Sequence, residues 1–335
     1  MKEYEIRPAA LMNRYIELSA KDAGECFGEA LRVDTACVAC GDNDGSFQFE
    51  KNGFAYVRCA ACGTLYQSPR PSRAAFEAFY RDSESSRYWA EVFFPAVAEI
   101  RREQMFRPRV DRIAALCREH GIRVDRLVDV GAGYGIFLDE WRARFPRTEL
   151  LAVEPSASLA RECRSKGLPV VEDIVEHVTG HEGSADLVTC FEVFEHVHAP
   201  LDFVRGLTRL VRAGGAVCVT TLCIDGFDLQ MLWGKSTQIF PPHHINFLSV
   251  RGFEKLFARA GMEDITVTTP GQLDVDIVRN AAERDPGLLA GHPFLRSVLG
   301  RDGAPERFQE FLSANRLSSH AWIIGRKSSV QADVA

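Results

Sequence analysis

The chain has 335 residues, 46% hydrophobic and 26% charged, which suits a folded globular protein and excludes a disordered or collagen-like one. No apolar run reaches the length of a membrane span, and the opening Met1-Lys2-Glu3-Tyr4 lacks the apolar core of a signal peptide, so the expected location is cytoplasmic. Forty Lys and Arg against 46 Asp and Glu leave a net charge of −6, which disfavours general nucleic-acid binding, since that affinity comes mainly from neutralised phosphates.

Residues 1–36 read as a helical arm. Residues 37–68 carry two knuckles, Cys37-Val38-Ala39-Cys40 and Cys59-Ala60-Ala61-Cys62, each followed by a glycine and separated by 18 residues. Asn52-Gly53 between them marks a hairpin. Four thiols so spaced form a tetrahedral set for structural Zn2+ in a zinc ribbon, Cys37, Cys40, Cys59 and Cys62. The ribbon holds few basic residues, Lys51 and Arg58, which argues against a grip on RNA. The remaining six cysteines are scattered in apolar surroundings and read as core fillers.

Pro69-Arg70-Pro71-Ser72 marks a boundary, with Ser72 as a helix cap. Residues 69–120 then read as a helical lid or linker rich in aromatics: Phe76, Phe79, Tyr80, Tyr88, Trp89, Phe93 and Phe94. From residue 121 to 330, apolar strands alternate with helices, the pattern of a doubly wound α/β sheet. A helical insertion is expected over 280–313, a last strand at His320–Gly325, and fraying over 327–335.

The densest signal is Leu127-Val128-Asp129-Val130-Gly131-Ala132-Gly133-Tyr134-Gly135. It is a buried strand ending in an acid, then a turn of three alternate glycines, then an amphipathic helix. Such a turn lets backbone approach a ligand, and the helix start offers free N–H groups. A dinucleotide fingerprint would need glycine at position 136, where isoleucine stands. A second apolar strand, Leu150–Val153, ends in Glu154-Pro155, and that acid sits where ribose hydroxyls would be held.

With Val170–Ile174, Asp186–Val197 and Leu210–Thr220, these motifs give the segment 127–223 a clear resemblance. It resembles a class I S-adenosylmethionine-dependent methyltransferase, of the branch that includes quinone-biosynthesis methylases and sugar methyltransferases. The resemblance implies a seven-stranded sheet and S-adenosylmethionine as cofactor. It places Asp129, Gly131, Gly133, Tyr134 and Gly135 at the amino-acid end of the cofactor and Glu154 with Pro155 at the ribose. Asp173 and Ile174 would meet the adenine, Phe191 and Glu192 would line the methionine side, and Arg109 would meet its carboxylate. The ribbon followed by Pro-Arg-Pro and an aromatic helix resembles the N-terminal module of sugar C-methyltransferases. Those enzymes carry a further C-terminal domain that this sequence is expected not to hold, a departure that turns the expectation away from carbon methylation and a deoxysugar substrate.

Methyl transfer needs an acceptor held in line and a group to take its proton. His196, directly after the fourth strand, is one candidate base; His198 reads as solvent-facing. The other is the loop Pro241-Pro242-His243-His244-Ile245-Asn246, where His244 matches the base of the sugar C-methyltransferases and His243 replaces a Glu. Asn246 would orient a hydroxyl or ring nitrogen. No carboxylate lies at helical spacing to complete a catalytic metal set around the His pair. Strand four lacks the Asn/Asp-Pro-Pro-aromatic ending that exocyclic-amine methylases use, which turns the expectation away from DNA adenine and protein glutamine. The acceptor expected is a small molecule, a nucleotide- or carrier-linked sugar, with an RNA methyltransferase as the alternative.

Overall fold

Local turn chemistry builds the first third of the chain. The computed structural model describes residues 2–329; the expected fraying beyond 329 lies outside the described residues. Two helices, Glu3–Ile6 and Ala9–Phe27, form the arm and lead to the short strand β1 (Arg32–Val33). β2 (Gly45–Lys51) and β3 (Phe54–Cys59) pair antiparallel around Asn52-Gly53, both with positive φ, as a two-residue hairpin turn requires. β4 (Leu65–Gln67) adds to β3, and β5 (Arg70–Pro71) pairs back with β1. Ser72 then caps the helix Arg73–Asp82 through the N–H of Ala75, as expected.

The following helical stretch is continuous but uneven. The helix Phe94–Arg101 is flanked by two widened π-type turns, Trp89–Phe93 and Arg102–Phe106. Such bulges re-aim side chains and gather at functional sites. Here they turn Trp89, Phe93 and Phe94 toward the same guanidinium, that of Arg101.

The apolar runs of the second half become β6 (Arg126–Val130), β7 (Glu149–Val153), β8 (Val170–Val171), β9 (Ala185–Phe191) and β10 (Val211–Leu222). β9 is buried at every position, as a strand covered on both faces must be. β11 (Asn246–Phe247), β12 (Met262–Thr268) and β13 (His320–Lys327) complete the set. The seven-stranded sheet runs β12-β13-β10-β9-β6-β7-β8. Five neighbours from β8 to β10 are parallel, while β13 is antiparallel to both β10 and β12 and lies between them. This is the doubly wound α/β sheet expected of a class I methyltransferase. The insertion is helical, with Pro293–Leu299 and Ala304–Ala314 following Asp274–Arg284. No helix among the described residues is long and apolar enough to cross a membrane.

The connection between the ribbon and the large sheet was not foreseen. β11, which follows the two histidines, pairs antiparallel with β4, setting Asn246 opposite Tyr66 and Phe247 opposite Leu65. The ribbon hairpin is therefore the far edge of a four-stranded sheet β11-β4-β3-β2. Cys37, Cys59, Cys62 and Tyr66 share one apolar core with Val128, Val188, Phe253 and Leu256.

Candidate active site

Parallel strands deliver their last residues to one edge of the sheet, and three acids arrive there: Asp129, Glu154 and Glu192. The turn after β6 needs its glycines for different reasons. Gly131 and Gly135 have φ of 71° and 69°, and a Cβ there would meet Val193 at 2.4 Å or Leu168 at 2.8 Å. Gly133, at φ 55°, would meet nothing within 4 Å, so the middle of the turn faces open space. That is a cradle for a close-packed ligand.

Glu154 braces this turn. It is 5% exposed and accepts the N–H of Gly133 at 2.8 Å and of Ser156 at 2.9 Å. Burial pushes its carboxyl up, while the two N–H groups pull it back. Each oxygen keeps a lone pair for a hydroxyl, so a ribose diol fits the donor–acceptor chemistry. Asp129 is buried more deeply, accepts from Thr189 Oγ1 at 2.7 Å, and is pushed up to about 7 by burial. Tyr134 stacks on Phe94 with ring centres 4.6 Å apart, so the helices ahead of the sheet cover the turn. Pro155 is exposed. Asp173 accepts from the N–H of Ile174 at 2.7 Å and meets His177 at 3.2 Å, one strand further along the edge.

Glu192 closes β9 with φ 55°, a left-handed backbone that a non-glycine residue adopts only under external constraint. The constraint is visible: Oε1 takes Arg109 at 3.0 Å, Thr220 Oγ1 at 2.7 Å and His320 Nε2 at 2.9 Å. Burial alone would raise its carboxyl, but His320 and Arg109 hold it below the usual carboxylate range. Arg109 also lies over the Phe191 ring at 4.5 Å. It is committed to Glu192 and Phe191, where the resemblance implied the cofactor's carboxylate.

The histidines meet on the next stretch of the same edge. His196 Nδ1 donates to the His243 carbonyl at 2.9 Å, and His244 Nδ1 donates to the Gln238 carbonyl at 2.5 Å. Both tautomers are thereby set, leaving each Nε2 as a free lone pair. The two rings lie 4.8 Å apart. Burial pushes His196 down to about 4 and His244 well below its ordinary value, so both stay neutral at physiological pH. His243 differs. It is 2% exposed among Tyr15, Phe79 and Phe240, and its Nε2 lies 3.0 Å from Ser85 Oγ. It packs the wall behind the other two.

Glu195 joins them. Thr221 Oγ1 donates to it at 2.8 Å, and burial with the nearby Glu192 charge pushes it up to about 8. One donor atom each from Glu195, His196 and His244 lies within 4.8 Å of the others. A carboxylate does complete a set around the histidines, contrary to expectation, because the loop after β9 supplies it. This trio can share a proton or hold a divalent cation. Two further expectations are corrected. Asn246 is fully buried, bonding the Val197 carbonyl at 2.7 Å and Arg70 at 3.0 Å, so it ties loops together and faces no acceptor. His198 is half-buried and lies 3.0 Å from the Pro71 carbonyl.

The four ribbon thiols also converge. Cys37 and Cys62 lie 3.5 Å apart, Cys40 and Cys59 3.6 Å, and all four within 4.8 Å. Ligands at about 2.3 Å in a tetrahedron stand about 3.8 Å apart, so the cluster fits Zn2+. Thr64 supports it from Cys62, and Arg259 and Ser249 bond the carbonyls of Ala39 and Cys62. Four residues to which sequence reading assigned no role in the site also shape it: Tyr80, Gln238, Thr220 and His320. Glu195, adjacent to the candidate base His196, also went unassigned.

A family model described as a methyltransferase domain matches residues 97–267, just over half of the chain. A ubiquinone biosynthesis O-methyltransferase of Sodalis glossinidius is 34% identical over 119 residues, covering 34% of this chain and 47% of that protein. One of Escherichia coli (strain K12 / DH10B) is 36% identical over 115 residues, covering 32% of this chain and 48% of that one. The chain spans about half the length of the curated relatives it matches. Among solved structures, a SAM-dependent methyltransferase from Archaeoglobus fulgidus aligns with a TM-score of 0.48 and 14% identity over 71% of this chain and 100% of that one.

Proposed function

The chain belongs to the methyltransferase-domain family in its class I S-adenosylmethionine-dependent form, and from that premise we propose that it methylates a hydroxyl of a small, sugar-like acceptor. When bound, S-adenosylmethionine supplies an electrophilic methyl group on a sulfonium. The open turn at Gly133, braced by Glu154, is the observation that carries the reading. Glu154 holds the ribose hydroxyls, Gly131 to Gly135 accommodate the amino-acid end, and Phe191 with Glu192 line the neighbouring wall. Asp173 and Ile174 stand toward the adenine.

His244 and His196 serve the acceptor. A neutral imidazole whose Nδ1 proton is fixed on a carbonyl offers Nε2 to take a proton, and two such rings stand side by side. Tyr80 Oη lies 3.3 Å from His196 and donates to the His243 carbonyl at 3.2 Å, which holds the loop in place. The four ribbon thiols hold structural Zn2+. A hydroxyl acceptor is supported by the relatives, which are named O-methyltransferases. A nucleotide- or carrier-linked sugar is supported by the likeness of the ribbon, the Pro-Arg-Pro segment and His244 to sugar methyltransferases.

Calorimetry with S-adenosylhomocysteine, followed by a methyl-uptake screen of nucleotide sugars against polyprenylated phenols, tests this. Cofactor binding with transfer to a sugar is expected. Binding of NAD in place of S-adenosylhomocysteine would overturn the cofactor, and transfer to phenols alone would overturn the acceptor.

A further inference from the structure

Two arginines near the histidines have no carboxylate in contact with them among the described residues, although Glu192 and Glu195 act on them from a distance. Arg101 is 8% exposed, enclosed by the rings of Trp89, Phe93 and Phe94 at 5.2–5.5 Å. Its guanidinium donates only to the Ile6 carbonyl, at 3.1 and 3.3 Å. The next residue, Arg7, is half-buried and donates to Gln238 Oε1 at 3.3 Å. Among the described residues, no carboxylate stands within 4.0 Å of either guanidinium. Arg109, by contrast, is paired with Glu192.

Burying a cation without a partner is costly, and proteins keep such groups where a ligand completes them. The aromatic walls offset part of that cost. The repulsion is also felt within the set: burial chiefly, then Arg7 and Arg109, pull Arg101 down to about 9 against the opposing charge of Glu192. The contacts bracket the pair between the two halves of the site. Phe94, over Arg101, stacks on Tyr134 of the glycine turn. Gln238, which holds Arg7, carries the carbonyl that orients His244.

We propose that Arg7 and Arg101 together seat an anionic group of the methyl acceptor, a carboxylate or a phosphate ester, so that its hydroxyl falls beside His244. The inference rests on reading the site as a methyl-transfer centre and narrows its substrate to an anion. The guanidinium of Arg7, with the Nη1 of Arg101 that the Ile6 carbonyl leaves free, can donate to the oxygens of such a group. The rival occupant of the same chemistry is the carboxylate of the cofactor itself.

The test uses the full-length, zinc-loaded protein and inorganic pyrophosphate as the probe, titrated by calorimetry with and without saturating S-adenosylhomocysteine. Pyrophosphate is expected to bind the cofactor-product complex. Arg7→Gln should weaken it by roughly 10-fold, as for a lost charge-assisted hydrogen bond, with S-adenosylhomocysteine affinity unchanged. Arg7→Lys should recover part of the loss. Arg101→Gln also removes the tether on Ile6, so Arg7, which is half-buried, carries the decision. Absence of pyrophosphate binding to the wild type, or equal binding by Arg7→Gln, would overturn the proposal. Competition between pyrophosphate and S-adenosylhomocysteine would assign the seat to the cofactor and overturn it as well. Pyrophosphate binding to a protein that takes no S-adenosylhomocysteine would leave the seat standing and bring down the methyl-transfer reading instead.

Discussion

At the scale of single residues, Glu154 and Glu195 are buried and His244 half-buried, and the proposed reading gives each a different task. Glu154→Ala removes the brace of Gly133 and, on the proposed placement of the cofactor, the grip on its ribose, and S-adenosylhomocysteine should bind about 10-fold or more weakly by calorimetry. His244→Ala should spare that affinity and cut turnover by roughly 100-fold or more, as for loss of a general base; full activity would move the role to His196. The lowered value of His196 gives a signed pH expectation. A base that protonates at about 4 remains competent as pH falls from 8 to 5, so its ring protons should show no titration by NMR across that range. Glu195 has the opposite sign. With its carboxyl raised to about 8 it is protonated at neutral pH, and Glu195→Gln mimics that form. The rate at pH 7 should then stay within about threefold of wild type, a difference of well under one pKa unit in free energy. A collapse of the rate would show that the carboxylate works ionised, as it would on a divalent cation. The positions of Glu154 and His196, shortly after β7 and β9, were legible in the sequence, because the topology of an α/β sheet puts chemistry at the ends of its strands. The tautomers of His196 and His244 were not legible. They depend on carbonyls at positions 243 and 238 whose placement is a matter of tertiary packing.

At the scale of elements, the parallel strands were readable because burial on both faces writes itself as mostly apolar runs without alternation, Leu127–Val130 and Ala185–Phe191 among them, broken only by Asp129, Asp186 and Thr189. β11 was not. Two residues carry no periodicity, and their partner β4 lies far back in the chain. Yet this small pairing sets what the four-thiol cluster leans on. Tyr56 donates to the His244 carbonyl at 2.6 Å, Gln67 N–H to the Ile245 carbonyl at 3.0 Å, and Arg70 to the His198 carbonyl at 2.7 Å. The ribbon thus holds the histidine loop from behind. Cys59→Ser should release the metal, as mass spectrometry under native conditions would register, and lower kcat more than it weakens S-adenosylhomocysteine binding. Equal loss of both would mean that the ribbon supports the whole sheet and has no special hold on the loop. Tyr56→Phe, which removes one hydroxyl, should cost about 1 kcal/mol in denaturant unfolding.

At the scale of the whole molecule, the residues that sequence reading divided at 37–68 and 121–330 contribute to one apolar core and to one shared sheet. Thermal unfolding of the zinc-loaded protein should therefore give a single calorimetric transition, with agreement between its calorimetric and van't Hoff enthalpies. Two resolved transitions would separate the ribbon from the rest. Composition could not disclose this union, because Cys-x-x-Cys spacing reports a local fold and says nothing of what leans on it. The union has a price in time. During synthesis, the outer edge of β4 waits for residues 246–247, and at about 5–20 residues per second that wait is on the order of 10–35 seconds. For that interval a nascent chain on the ribosome displays an unpaired strand with Leu65 and Tyr66 on it, open to any neighbouring polypeptide that can zip alongside.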